Sequence, residues 1–488
     1  MDKGTEMLYS LYLPRYREPS DFKITSRRIN RYPSIMQRIA TAALVLLLLG
    51  LARPVHCSGV PSARKATTRS WTVVEAVRYA LCHSPDAKIA LHRIDAAQAA
   101  VRQARSAFYP RVSLNAEYGG TNNPMYSFGN ILNHGTFTYS IDFNDPGVTD
   151  NLRLQAGLGY RLYNGGRDQA GLRAAEAGKQ AEEQQRHAVL ATLADQVVRS
   201  FYTIVQAEEI VASRKAAIKA IDASLAVARA RYNAGDLLKA DLLDIEVRRS
   251  AAHEQLIQAN HGLELARRGF LNLLGLEAGS VAIDTSQQFP QEIPADQSGI
   301  NRPEIQQIDA MISAAREQLK QARGGYRPTA DLFASYQLDK GFVHDGEQGD
   351  SWMTGVRVNY NLYEGDRTRA AVARAEAELA RLREMRHKLS LSIGLEIEQA
   401  RLNLQQAEER LRVTANQVRL ATESARLFQE RFKEGVILAS SLLDAQSRLT
   451  EAQVHASLAK AARLIAIADL RKAVGVAQFP QCSPTNAQ

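Results

Sequence analysis

Core-type positions recur through the second half of the chain in steps of three and four. They are Val372, Ala375, Leu379, Leu382, Arg386, Leu389, Ile393, Ile397, Ala400, Leu404, Ala407, Leu411, Thr414, Val418, Ala421, Ala425, Phe428 and Phe432. The first half keeps the same register with Val189, Leu193, Val197, Ile204, Ala207, Val211, Ile218, Ile221, Leu225, Ala228 and Tyr232. A period near 3.5 held this long predicts very long helices packed as left-handed coiled coils. No proline lies between Pro146 and Pro290 or between Pro328 and Pro480, as such helices require, since one interior proline costs about 3 kcal/mol. The run from Gly166 to Tyr232 alone predicts about 100 Å of helix at ~1.5 Å per residue. Alanine at many seam positions lets helices approach closely over a broad curved wall.

Each rod follows two segments of period two. Val112, Leu114, Ala116 and Tyr118 alternate with Ser113, Asn115 and Glu117, and Leu152, Leu154, Ala156, Leu158, Tyr160 and Leu162 alternate with Arg153, Gln155 and Arg161. In the second half Ala330, Leu332, Ala334, Tyr336 and Leu338 are followed by Trp352, Thr354, Val356, Val358, Tyr360 and Leu362. Such strands have one apolar and one polar face. At about ten residues each, with aromatic ends, they fit the wall of a transmembrane barrel, and a soluble sandwich with one solvated face is the alternative. Four strands cannot close a barrel, because the smallest need about eight and an open edge in lipid is prohibitive. Several chains must then contribute to one barrel. The stretches Gly119 to Asn151 and Asp339 to Ser351 have loop composition.

Displaced by 200 residues, the sequence lands on itself: Arg231-Tyr232-Asn233-Ala234-Gly235 meets Arg431-Phe432-Lys433-Glu434-Gly435, Leu242-Leu243-Asp244 meets Leu442-Leu443-Asp444, and Tyr160-Arg161-Leu162-Tyr163-Asn164-Gly165 meets Tyr360-Asn361-Leu362-Tyr363-Glu364-Gly365. The count between landmarks is conserved because one inserted residue would turn a helix face by about 100°. Strands and duplication together displace the reading of the seam as a dimeric cytosolic coiled coil.

Charge then changes the picture at one end only. The net +9 suggests an acidic partner, yet residues 1 to 70 hold 12 Lys/Arg against 4 Asp/Glu, leaving 49 against 48 for the rest. The basic excess is a leader: Arg27, Arg28, Arg31 and Arg38 precede the apolar stretch Ile39 to Ala52, too short to span a bilayer and suited to a secretory signal. A start at Met36 would make that signal compact. Cys57 follows the apolar run, but His56 is bulky where lipidation wants a small residue; Cys82 and Cys482 form a candidate disulfide in an oxidising compartment. The histidines are scattered, without His-Glu-x-x-His, Cys-x-x-Cys, Gly-x-Ser-x-Gly or a phosphate-binding glycine loop, so no enzyme, cofactor or metal site is expected. His187 and His387 align across the repeat beside Arg186 and Arg386 and read as solvated surface. Asp142 to Gly147 begins like a calcium loop, but its twelfth position is Arg153 instead of a bidentate glutamate.

The duplicated strand-strand-helix-helix unit, the Arg-x-x-x-Gly helix end in both copies and the Leu-Leu-Asp after it resemble the TolC-type outer-membrane efflux proteins, or outer membrane factors, over Trp71 to Gly475. Gln103-Ala104-Arg105 leading to Pro110 and Gln321-Ala322-Arg323 leading to Pro328 are similar to that family's helix-to-barrel junctions. The resemblance implies a mainly α fold with a transmembrane β part: a homotrimer whose twelve-stranded barrel continues into a twelve-helix coiled-coil periplasmic tunnel. It implies this organisation: leader and extension 1–57, opening helix 71–109, first β-hairpin with a long outer loop 110–163, first helical hairpin 164–275, equatorial linker 276–302, second opening helix 303–327, second β-hairpin 328–363, second helical hairpin 364–475 and tail 476–488. The implied function is a passive outer-membrane exit duct of a tripartite efflux or type I secretion system, partnered by itself, outer-membrane lipid, a periplasmic adaptor and an inner-membrane pump, with no nucleic acid.

The same resemblance places site residues at the periplasmic tips. Arg231, Gly235, Leu238, Arg431, Gly435 and Leu438 become candidates for adaptor docking. Asp444 takes an acidic constriction position and three copies would form a negative ring favouring cations; the second such position is Ser441, a departure. Asp241 matches an acidic residue of the first tip, but its expected tyrosine partner is Phe432 and the expected arginine is Ile437, whose packing would replace part of a polar lock. A periplasmic adaptor is the rival, disfavoured because it has one helical hairpin, not two fed by amphipathic strands.

Overall fold

The computed structural model describes residues 69–287, 290, 292–343 and 348–479. The leader, Met36, Cys57 and Cys482 lie outside the described residues, and the expectations about export, start site, lipidation and the disulfide lie there with them; Cys82 is exposed.

The chain runs β1 (Arg69–Trp71), α1 (Val73–His83), α2 (Pro85–Arg105), β2 (Arg111–Thr121), α3 (Pro124–Asn133), β3 (Thr149–Tyr163), α4 (Arg167–Ala234), α5 (Lys239–Leu274), β4 (Val281–Ile283), α6 (Pro303–Arg323), β5 (Thr329–Lys340), β6 (Gln348–Asn359), α7 (Arg367–Lys433) and α8 (Ala439–Ala473). From α2 and again from α6 the order is helix, 3-10 turn, strand, strand, long helix, return helix. The opening segment is two helices, because Ser84 is extended (ψ 140°) ahead of Pro85, and the residue before a proline is driven out of the helical region.

The long helices α4 and α7 have 68 and 67 residues. Along α7 every seam position is buried or half-buried except Arg386, whose Nε meets Asp309 of α6 at 2.6 Å. The heptad has one interruption per copy, two successive steps of four at Val189-Leu193-Val197 and at Leu389-Ile393-Ile397. A four-residue insertion locally unwinds a supercoil, and further segments of the chain cover both interruptions. Leu193 and Val197 share a core with Trp71, Val73, Val77, Phe201, Phe270, Ile467 and Leu470, while Ile393 and Ile397 are covered by the linker at Gly299, where a Cβ would meet Ile397 Cδ1 at 2.7 Å. Around this equatorial core β1 pairs in parallel with β4. Two buried guanidinium groups pin the linker and tail to it: Arg302 reaches Glu304 (2.8 Å), Glu396 (2.5 Å) and the Ala473 carbonyl (3.3 Å), and Arg471 donates to the carbonyls of Glu292 (3.2 Å) and Ala477 (2.9 Å).

The strands form one antiparallel sheet in the order β2-β3-β5-β6. Residues directly opposite share a face, so the register assigns both faces up to the bulge between Arg161 and Tyr163. One carries Val112, Leu158, Ala334 and Thr354 across one row and Leu114, Ala156, Tyr336 and Trp352 across the next. The other carries Asn115, Gln155, Gln337 and Ser351, then Glu117, Arg153 and Asp339. The apolar face is bare: Val112 is 74%, Leu114 80% and Trp352 72% exposed. Neither β2 nor β6 has a partner on its outer edge among the described residues. Strand β6 stops at Asn359, so Tyr360 and Leu362, expected within it, stand exposed in the turn that follows.

Loop composition concealed a ten-residue helix, α3. Asn123 caps it, its side chain accepting from Met125 N–H (3.1 Å), and Pro124 takes the first helical position. Its far end folds onto the polar face of the sheet, where His134 Nε2 meets Asn151 Oδ1 at 3.1 Å and a side chain on Gly349 would collide with the Asn133 carbonyl.

Candidate functional site

Both long helices end in the same way. Gly235 (φ +87°) and Gly435 (φ +81°) take the left-handed conformation that lets the chain double back, and the next amide in each case returns to the arginine carbonyl: Asp236 N–H to Arg231 at 2.9 Å, Val436 N–H to Arg431 at 3.0 Å. The return helices α5 and α8 begin at Leu238 and Leu438, which sit at the N-cap with extended backbone and no side-chain oxygen to offer. Leucine is among the poorest N-caps, and these two are 72% and 66% exposed.

Between the tips lies a small separate core of Ile221, Leu225, Ala228, Ile245, Phe432, Ala439, Leu442 and Leu443, with Ile437 packed against it. Phe432 is 1% exposed. Its cover is Arg231: the guanidinium carbon sits 5.5 Å from the ring centroid, Nη1 donates to the Phe432 carbonyl at 3.2 Å, and Gly435 passes close to the same guanidinium. The first tip therefore clasps the second within one chain. Arg431, by contrast, is exposed.

Asp444 is exposed on α8 and meets Arg248 of α5 at 3.4 Å. Ser441, three residues before Asp444, and Asp241, near the start of α5, are half-buried. Sequence reasoning missed Arg248, and it missed Ser224 of α4, whose hydroxyl accepts from buried Gln446 Nε2 of α8 at 3.0 Å. It also missed a charged cluster at the equatorial level. Arg199 bridges Asp195 (3.2 Å) and Asp469, and Lys472 approaches Asp195 at 3.9 Å. Burial, reinforced by the neighbouring Asp195 charge, pushes the Asp469 carboxyl up to about 6. The only signal of this cluster in the sequence is one acid, Asp195, inside the apolar run from Val189 to Val198.

The outer membrane efflux protein family model matches residues 76–276 and 295–476. The chain belongs to that family. Protein CyaE of Bordetella pertussis is 27% identical over 412 residues, which cover 82% of this chain and 83% of that protein. Outer membrane protein TolC of Vibrio cholerae is 21% identical over 411 residues, 80% of this chain and 88% of its own length. Among solved structures the Campylobacter jejuni CmeC outer membrane channel has a TM-score of 0.73 at 15% identity, covering 88% of this chain and 93% of that one. A membrane protein from Pseudomonas aeruginosa also reaches 0.73, at 18% identity, covering 86% and 100%.

For this outer membrane efflux protein the matched segments contain both helical tips and all four strands of the large sheet. They contain Arg231, Arg248, Asp444 and the Asp195–Asp469 cluster as well.

Proposed function

We propose that three copies close a twelve-stranded barrel in the outer membrane and continue inward as a helical tunnel, forming the exit duct for cargo delivered by an inner-membrane pump through a periplasmic adaptor. The observation that carries this reading is the sheet: four strands with one bare apolar face, one polar face and two unpaired edges. A strand edge left open in lipid costs several kcal/mol for each unsatisfied group. Pairing β6 of one chain with β2 of the next removes every edge, and four strands from each of three chains exceed the eight or so that closure needs. The bare face then meets lipid, the polar face lines water, and the duct moves cargo passively without chemistry of its own.

The tips supply the other end. Leu238 and Leu438, exposed where a capping serine or aspartate would stabilise the helix by about 1 kcal/mol, together with Gly235 and Gly435, and with Arg431 once the tips separate, make the adaptor-docking surface. Arg231 is engaged within the chain and serves the closed arrangement instead. Asp444, with Ser441 and Asp241 on the same return helices, lines the narrowest passage. Relatives named for toluene efflux and for pyoverdine export point to varied cargo across the family, so cargo choice is placed with the pump.

The test is membrane fractionation followed by electrophoresis with and without boiling, then reconstitution in a planar bilayer. A heat-sensitive oligomer in the outer-membrane fraction that opens ion channels supports the reading. A water-soluble monomer without channel activity overturns it.

A further inference from the structure

The polar face of the sheet is not uniformly polar; the register sorts its charges by depth. At the end carrying α3 stand Glu117, Arg153 and Asp339, with Arg153 paired to Asp339 at 3.1 Å. The middle rows, Asn115 with Gln155, Gln337 and Ser351, then Ser113 with Ser335, are neutral. At the end adjoining the long helices the face carries Arg111, Arg161 and Arg357 against the single acid Asp331. Arg161 pairs with Asp331 at 3.2 Å, Arg357 lies over the Phe333 ring at 5.1 Å, and Arg111 is exposed at the start of β2. In the turn below, Glu364 accepts from Asn361 and from Thr368.

From this we infer that the barrel–tunnel junction carries a ring of arginines that binds and favours anionic cargo. The inference rests on the trimeric barrel reading. Three chains then contribute nine arginines and three aspartates, a net charge of +6, within two neighbouring rows of the polar face. Twelve strands about 4.8 Å apart and tilted about 40° give a backbone radius of about 12 Å. Side chains project inward from that radius, and the screening length is ~8 Å at physiological salt, so the fields of the three clusters overlap on the axis. Arginine suits the task, since its planar fork pairs carboxylates and phosphates in bidentate fashion. Stacking on Phe333 holds one such fork in place. The cargo class is an anion with carboxylate, phosphate or sulfonate groups, held briefly at the mouth of the barrel.

The probe is hexacyanoferrate(III), added to one side of a planar bilayer holding the purified trimer in about 0.1 M KCl, where screening extends ~10 Å. From the barrel side it should block current at low concentration. Hexaamminecobalt(III), equal in charge and opposite in sign, should need a far higher concentration from that side. The double variant R111Q/R357Q, which leaves the Arg161–Asp331 pair intact, should raise the half-blocking concentration of the anion about tenfold, which corresponds to ~1.4 kcal/mol. Absence of block in the wild type, or equal block in the variant, overturns the ring. Should the double variant fail to assemble, the anion-to-cation comparison on the wild-type channel alone decides, with equal half-blocking concentrations overturning the inference. A wild-type preparation that forms no channels at all overturns the duct reading and the ring with it.

Discussion

Replacing Arg231 by alanine should release the two tips of one chain from each other. Three contacts are at stake: Nη1 to the Phe432 carbonyl at 3.2 Å, Nη2 to the Asp236 carbonyl at 3.4 Å, and the guanidinium 5.5 Å from the Phe432 ring. The Asp236 bond lies within the first tip's own turn and survives any separation, so it contributes nothing to holding the tips together. A hydrogen bond from a charged donor is worth about 1.5–3 kcal/mol, and a cation–π contact at a partly exposed site about 0.5–1 kcal/mol. Arg231 is half-buried, which favours the lower end, so the clasp contributes about 2 kcal/mol, or ~30-fold in the ratio of closed to open tips. The assay is single-channel recording: Arg231→Ala should raise open probability by about that factor. Lysine cannot span carbonyl and ring together, so Arg231→Lys should fall close to alanine. A double-mutant cycle with Phe432→Ala should show a coupling of only about 0.5–1 kcal/mol, because the two changes share the ring contact while the bond to the Phe432 backbone carbonyl survives loss of the ring. Open probability of Arg231→Ala within twofold of wild type, beside a clearly leaky Phe432→Ala, would refute the clasp.

Three further outcomes are expected. Asp444→Ala should raise single-channel conductance or shift selectivity away from cations, and Arg248→Ala, which unpairs Asp444 (3.4 Å), should shift selectivity toward cations; reversal potentials in a salt gradient read both. Asp469 titrates near 6 against an ordinary 3.8 because burial disfavours its charge, so its contribution to stability is full below about pH 4 and is lost as pH rises through 6. Melting of the oligomer should therefore occur at higher temperature at pH 5 than at pH 7.5, and Asp469→Asn should flatten that difference. Gly165→Ala should abolish the heat-sensitive oligomer, because Gly165 has φ +74° and its Cβ would stand 2.5 Å from the Gly324 carbonyl at the strand-to-helix junction; normal assembly on an unboiled gel would count against it.

What was legible in the sequence was whatever repeats. Coiled-coil helices announce themselves by a period that must persist for a hundred ångströms, and amphipathic strands by alternation that must match across four neighbours, so both are over-determined. The turn glycines are equally plain, since only a residue tolerant of positive φ can reverse a helix that sharply. Features resting on one residue were hidden. Helix α3 offered only Asn123-Pro124 against a background of loop-like residues. The role of Arg231 depends on a partner 201 positions away, and nothing local distinguishes an arginine that docks a partner from one that covers a phenylalanine. The Asp195–Asp469 cluster joins helices of different repeats, so neither half of the duplication contains it.

The clasp also carries a consequence for assembly, because the duplication is not matched by duplicated contacts. Within one chain Arg231 of the first tip reaches Phe432 of the second, and Arg248 reaches Asp444. Displaced by 200 residues, the equivalent groups are Arg431 with Tyr232 and Arg448 with Asp244, and each of these stands exposed in the single chain. If three chains close into a ring as proposed, first and second tips alternate, and each second tip faces the first tip of the next chain. The same geometry then repeats between chains: Arg431 over Tyr232 of the neighbour, Arg448 against its Asp244. Cysteines at 448 and 244 should crosslink to a covalent trimer under mild oxidation, whereas cysteines at 248 and 444 should give a bridge within one chain and a monomer on a denaturing gel. Were both pairs to give monomers, the tips would not alternate around a ring, and the pseudo-sixfold mouth would be wrong even if the barrel above it were right.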